Sequence, residues 1–271
     1  MIKAKKSLGQ HFLTDQSALR AIIETANLTP DDTVLEIGPG EGFLTEALLQ
    51  TGAQVITVEK DDRLIGFLSI KFKKEISERQ LILIHSDILD FLKAKTYKLE
   101  ATYKLIANIP YYLTGQIIRH FLSSPNQPQA MTLMLQKEVA KRIANSKKQS
   151  LLSISVKAYG APHYIKTVPR GAFRPAPGVD SAILHIDNIS RDRFKGLPLP
   201  KLARVTLDID PDEKKFFALV KRGFSQKRKM LRTKLGLTVE ELLSCDVEPT
   251  ARAENLTVDQ WFCLAKQNKK I

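Results

Sequence analysis

Little in this 271-residue chain is suited to binding a metal, crossing a membrane or being stapled by disulfides. Its two cysteines, Cys245 and Cys263, argue against a disulfide framework and fit a reducing compartment, the cytoplasm. The five histidines, at positions 11, 85, 120, 163 and 185, have no ligand spacing with one another or with cysteine, so no metal site is expected. No apolar run approaches the roughly 20 residues of a membrane helix. The basic opening Met1-Ile2-Lys3-Ala4-Lys5-Lys6 is not followed by the apolar core of a signal peptide. No Gly-x-x-x-x-Gly-Lys loop occurs, which disfavours ATP, and no internal repeat or low-complexity segment is present. Acidic residues are in deficit: 29 Asp and Glu face 42 Lys and Arg, giving a net charge of +13. A polyanionic partner follows, nucleic acid first and an anionic membrane surface second.

What is present is a series of short apolar runs. Val34–Ile37, Val55–Val58, Leu81–Ile84, Lys104–Ala107 and Met131–Leu135 are separated by helical patterns, one of them Phe43–Leu49. Continuous runs of this kind belong to buried parallel strands, and the spacing predicts a doubly wound, Rossmann-like α/β sheet. Ligands of such sheets bind beyond the carboxyl ends of the strands. Near residues 187–212, Gly196, Pro198, Pro200 and Pro211 interrupt a charged stretch that reads as a linker. Beyond it the pattern is helical, so we expect a domain at 1–190 and a smaller helical one at 191–271. The second carries 18 Lys and Arg against 11 Asp and Glu, more than twice the net charge density of the first.

The polar residues gather at the strand ends. Asn108-Ile109-Pro110-Tyr111 follows the fourth run, and such a turn can hold a flat, amine-bearing ring. The Asn oxygen accepts one N–H, Pro110 helps aim the Ile109 carbonyl at the other, and the Tyr111 ring stacks on the base. A plain Pro-containing turn is the competing explanation for the motif alone. Glu36-Ile37-Gly38-Pro39-Gly40-Glu41-Gly42 lies between the first strand and first helix, with glycines that let backbone approach a ligand. Glu59, at the end of the second run, is placed to accept both hydroxyls of a ribose, and Asp87 to accept from an adenine amine. Nothing in this pocket demands phosphate. S-Adenosylmethionine therefore fits better than a dinucleotide.

The ordered motifs resemble the ribosomal RNA adenine dimethyltransferases. They are Lys6-Ser7-Leu8-Gly9-Gln10-His11-Phe12-Leu13, the Glu36–Gly42 loop, Asn108–Tyr111, Leu135-Gln136-Lys137-Glu138-Val139, Phe173-Arg174-Pro175-Ala176-Pro177-Gly178-Val179-Asp180-Ser181 and Arg252-Ala253-Glu254-Asn255-Leu256. The carboxyl-terminal region is more similar to the small-subunit (16S) branch than to the large-subunit resistance branch. The resemblance implies that His11 and Leu13 contact the methionine end of the cofactor, with Gly38, Glu59, Asp87 and Asn108 completing the pocket. It implies that Phe173 stacks on the target adenine opposite Tyr111. It also implies dimethylation of two adjacent adenosines near the 3′ end of small-subunit RNA, within a pre-ribosomal particle, by a monomer. His11 stands where many relatives have Asn. Lys147-Lys148-Gln149-Ser150 replaces a Tyr-Gly pair that relatives often carry before what reads as the next strand.

The chemistry expected is in-line transfer of a methyl group from sulfonium to the exocyclic amine, governed by placement. The base must be unstacked to reach the site. No paired carboxylates or His–Asp arrangement is needed, because the methylated amine sheds its proton readily. RNA contact is expected from Lys214 to Lys234, which holds nine Lys and Arg and no acid. Lys221, Arg222, Lys227, Arg228, Lys229 and Arg232 are the candidates. Phe216, Val220, Phe224, Leu231 and Leu235 should anchor this segment as two helices, meeting near Gly223 and Ser225, with Ser225 as a cap.

Overall fold

Each of the five apolar runs becomes a parallel strand: β2 (Thr33–Ile37), β3 (Gln54–Glu59), β4 (Leu81–His85), β5 (Lys104–Asn108) and β6 (Ala130–Gln136). Two further strands, β7 (Ala161–Val168) and β9 (Ser181–Asp187), join antiparallel at one edge, giving the order β4-β3-β2-β5-β6-β9-β7. A short pair, β1 (Phe12–Leu13) with β8 (Phe173–Arg174), lies apart from the main sheet. The structure is a computed structural model and describes residues 2–5, 8–93, 99, 102–195, 197, 211–226 and 229–267.

Helices α1 (Gln16–Ala26), α2 (Phe43–Leu49), α3 (Asp62–Lys71), α4 (Lys73–Ser77), α5 (Ile88–Lys93), α6 (Thr114–Ser123), α7 (Lys137–Ala144) and α8 (Leu151–Tyr159) connect these strands. Strand β2 is buried along its whole length, as a central parallel strand covered on both faces must be. Strand order reverses between β2 and β5, which pair directly. A ligand crevice is expected at that switch point. The Leu-Ser that follows Lys147–Ser150, read from sequence as belonging to the next strand, lies in helix α8 instead. Ser150 and Ser153 close a reciprocal capping box at its start, which fixes the helical entry.

The carboxyl-terminal segment is helical: α9 (Pro211–Phe224), α10 (Leu231–Leu235), α11 (Val239–Leu243) and α12 (Val258–Gln267). Phe216, Val220, Leu231 and Leu235 are buried. Ser225 caps neither helix; its hydroxyl donates to the Arg222 carbonyl, and the residue preceding α10 is Met230. Gly223 serves packing, because a Cβ there would stand 2.3 Å from the Trp261 ring. Cys245 and Cys263 form a disulfide, contrary to the sequence expectation, since packing of α11 on α12 brings their Cα atoms within 5.7 Å. Their 18-residue separation in sequence carries no hint of that proximity.

Gly196, Pro198 and Pro200 of the expected linker lie outside the described residues, but Phe194 and Leu197 beside them are buried. Rings of Tyr159, Phe194, Phe216 and Phe262 lie against one another, and the Phe216 and Phe262 centroids are 4.3 Å apart. One hydrophobic core thus runs from the β-sheet into the helical segment. Among the described residues no helix is long and apolar enough to cross a membrane.

Candidate active site

A pocket of about 520 Å³ opens at the carboxyl ends of β2, β3 and β5, where the strand order reverses. Its walls include His11 and Leu13, Gly38, Glu59, Asp87 and Asn108 to Tyr111. All the candidate cofactor residues therefore meet in one place.

Gly38, Gly40 and Gly42 take φ values of 68°, 58° and 77°, so the turn into α2 is left-handed at each. A Cβ on Gly42 would strike Phe72 at 2.6 Å, and one on Gly40 would strike Phe12 at 2.8 Å. A Cβ on Gly38 would meet nothing within 4 Å, because that glycine faces the pocket and leaves room for a ligand. Glu36, on β2 just before the turn, is fully buried and accepts from the Thr45 hydroxyl at 2.7 Å. Burial pushes its carboxyl up to about 7, against the pull of that hydrogen bond. Its Oε1 is buried without a partner, with the Thr57 hydroxyl nearby but outside hydrogen-bonding geometry. An unpaired carboxyl oxygen and an open glycine cradle fit the adenosine and amino-acid parts of S-adenosylmethionine.

Glu59 is buried at the end of β3 and its Oε1 accepts the N–H groups of Lys60 and Asp61, each at 2.8 Å. Burial raises its pKa, and those backbone donors oppose the rise. The N–H groups of Lys60 and Asp61 both go to Oε1, so neither occupies the second carboxylate oxygen. Asp87 accepts from Lys60 Nζ at 2.7 Å and from the Leu89 N–H at 2.8 Å, and the lysine holds its pKa below the usual range. Each Asp87 oxygen accepts one of these bonds, and a carboxylate oxygen can accept two, so the group retains capacity for an adenine amine.

Asn108 ends β5, and its Nδ2 donates to the His11 carbonyl at 3.0 Å. This commits the amide's donor end and leaves Oδ1 to accept from an incoming amine. Ile109 donates its N–H to the Met134 carbonyl at 3.1 Å, which pins the turn to β6. The Tyr111 hydroxyl shares a 2.8 Å hydrogen bond with Ser181, and its ring stacks on His11 with centroids 6.1 Å apart. His11 Nδ1 lies 2.7 Å from the Pro175 carbonyl oxygen; a carbonyl only accepts, so Nδ1 carries the proton.

Phe173 is placed differently from the sequence expectation. It is 3% exposed, belongs to the core, and is absent from the pocket wall. Its pairing with Leu13 in the β1–β8 ladder accounts for this, since it puts Phe173 beside a residue that is itself core. Of the basic candidates, Lys221 and Arg222 on α9, Lys229, and Arg232 on α10 are exposed. Lys227 and Arg228 lie outside the described residues. Sequence reasoning missed Lys60 and Asp61, although both directly follow Glu59.

The family model described as ribosomal RNA adenine dimethylase matches residues 1–270. This chain belongs to that family. As a ribosomal RNA adenine dimethylase it is an S-adenosylmethionine-dependent methyltransferase. The dimethylase is 42% identical over 274 residues to the ribosomal RNA small subunit methyltransferase A of Dehalococcoides mccartyi (strain CBDB1), covering 97% of this chain and 88% of that protein. The protein of the same name from Enterococcus faecalis is 34% identical, over 98% of this chain and 90% of its own. Among solved structures, a dimethyladenosine transferase from Plasmodium falciparum superposes with a TM-score of 0.74 and 27% identity, covering 94% of this chain and 96% of that one. The 23S rRNA methyltransferase ErmE gives 0.72 and 26%, covering 93% and 97% respectively.

Proposed function

We propose that this dimethylase modifies two adjacent adenosines near the 3′ end of small-subunit ribosomal RNA, acting as a monomer on a late pre-ribosomal particle in the cytoplasm. The orientation of the Asn108 amide carries the chemical half of this reading. With Nδ2 engaged, Oδ1 accepts one N–H of the exocyclic amine and the Ile109 carbonyl accepts the other. The nitrogen lone pair is then better localised for attack. Tyr111 supplies the stacking face, and its ring is held by Ser181 and His11.

Glu59 would hold the ribose, Asp87 the adenine, and Gly38 with His11 and Leu13 the amino-acid end of S-adenosylmethionine. That cofactor supplies an electrophilic methyl group. Asn108, Ile109 and Tyr111 orient the amine and exclude water from it. Residues 1–190 bind cofactor and base, while residues 191–271 hold the RNA through the basic face of Lys221, Arg222, Lys229 and Arg232. The small-subunit assignment is supported by the 42% and 34% identity to proteins named for that subunit, against 26% to the large-subunit enzyme.

Purified protein and S-adenosylmethionine, incubated with small-subunit and with large-subunit particles from cells lacking the modification, provide the test. Mass spectrometry should find two dimethyladenosines in the small-subunit RNA and none in large-subunit RNA. The reverse distribution would overturn the assignment.

A further inference from the structure

The carboxylate of Asp61 is buried, yet it is not part of the pocket wall. Its partners come from the amino-terminal segment and from α3. Lys5 Nζ lies 3.1 Å from Oδ1, Gln10 Nε2 donates to Oδ2 at 3.0 Å, and Arg63 embraces both oxygens at 3.0 and 2.7 Å. Lys5 in turn donates its N–H to the Gln10 side chain at 2.7 Å, and Arg63 Nη1 donates to the Lys3 carbonyl at 3.2 Å. Residues 8–14, which continue from these contacts, form one wall of the pocket. On its other side Asp61 donates its N–H to Glu59 Oε1 at 2.8 Å. A single residue thus ties the amino-terminal strap to the carboxylate assigned to the ribose.

We infer that Asp61 is a positioning residue that clamps this strap over the bound cofactor. Release of the clamp is the step through which spent cofactor leaves between two methyl transfers. The inference rests on the cofactor placement proposed above. Dimethylation requires such an exchange, and strap residues 8–14 form one wall of the pocket that the cofactor leaves. The contacts are strong enough to slow release, because hydrogen bonds to a buried charge are the stronger kind. They can also be broken, because Lys5 and Arg63 retain 41% and 38% side-chain exposure and so remain open to screening by salt.

The test is stopped-flow dissociation of S-adenosylhomocysteine from the full chain without RNA, over a salt series. Asp61→Asn keeps a good amino-terminal cap on α3 but removes the charge. Lys5→Met alters the strap alone. Each should speed release about tenfold, the strength of a hydrogen bond to a charged group. The double variant should be no faster than Asp61→Asn alone, and Lys5→Arg should behave as wild type. Salt should accelerate release from wild type and leave Asp61→Asn unaffected. Unchanged release in Lys5→Met, or effects of the two variants that multiply, would overturn the clamp; Lys5→Met decides the matter even if Asp61→Asn does not fold. Wild-type protein that binds no S-adenosylhomocysteine would instead overturn the underlying cofactor placement.

Discussion

Asn108 makes two separable contributions, one through each end of its amide. Asn108→Ala removes the amine acceptor and the tether to His11, and should lower the methylation rate about a hundredfold or more, in line with loss of a preorganised polar group. A rate within a few fold of wild type in a single-turnover assay would remove Asn108 from the chemistry. Glu36 offers a test by pH. Its carboxyl titrates near 7 in the folded protein and near 4.5 unfolded. Below pH 4.5 both states hold the proton and the group has no effect. Between 4.5 and 7 the unfolded chain releases the proton first, so stability falls as pH rises, by about 3 kcal/mol in all. Urea midpoints of wild type should decline through that window relative to Glu36→Gln, and parallel curves would show that the carboxyl is already ionised. Phe173 belongs to the core, so Phe173→Leu should cost roughly 1 kcal/mol of stability and leave cofactor affinity unchanged. The single-turnover methylation rate of the folded variant distinguishes this from stacking on the target base: a core residue leaves the rate near wild type, whereas loss of a stacking face lowers it about tenfold or more.

At the scale of elements, the glycines separate into two kinds. Gly38, Gly40 and Gly42 are required by the left-handed turn after β2, a role legible from their spacing behind an apolar run. Gly223 lies inside α9 and is required by the Trp261 ring across the helix pair, a contact that sequence spacing does not encode. Gly223→Ala should lower stability by about 1–3 kcal/mol, the usual cost of overpacking. A thermal midpoint equal to wild type would mean that α12 shifts to make room. The five parallel strands were legible as unbroken apolar runs, which burial on both faces accounts for in the central strand β2, while the edge strand β4 is apolar though only half-buried. Strand β7 was not, since its half-exposed residues mix His163, Tyr164 and Lys166 with apolar ones, and β9 lies directly behind the Phe173–Ser181 motif.

For the whole molecule, the balance of charge decides how it meets RNA. Lys221, Arg222, Lys229 and Arg232 project from the helical segment. Replacing all four by Ala should weaken particle binding at low salt and lessen its salt dependence. Each lost phosphate contact should lower the slope of log affinity against log salt by roughly 0.7 to 0.9. Equal slopes for the variant and wild type would assign the RNA contacts to another face. Because one core joins the β-sheet to the helical segment, this face is held at a set distance from the pocket.

The order of motifs, the apolar runs and the excess of Lys and Arg are local properties, and sequence alone determined from them the α/β fold, the family and the pocket residues from Gly38 to Tyr111. Tertiary structure decided the rest, because each remaining feature joins residues far apart in the chain. Pairing of β1 with β8 carried Phe173 into the core, and helix packing joined Cys245 to Cys263. The same is true of Asp61, whose partners Lys5 and Gln10 lie 56 and 51 positions away. Periodicity reports which face of an element is buried. It says nothing of which distant side chain will supply the partner for a buried charge.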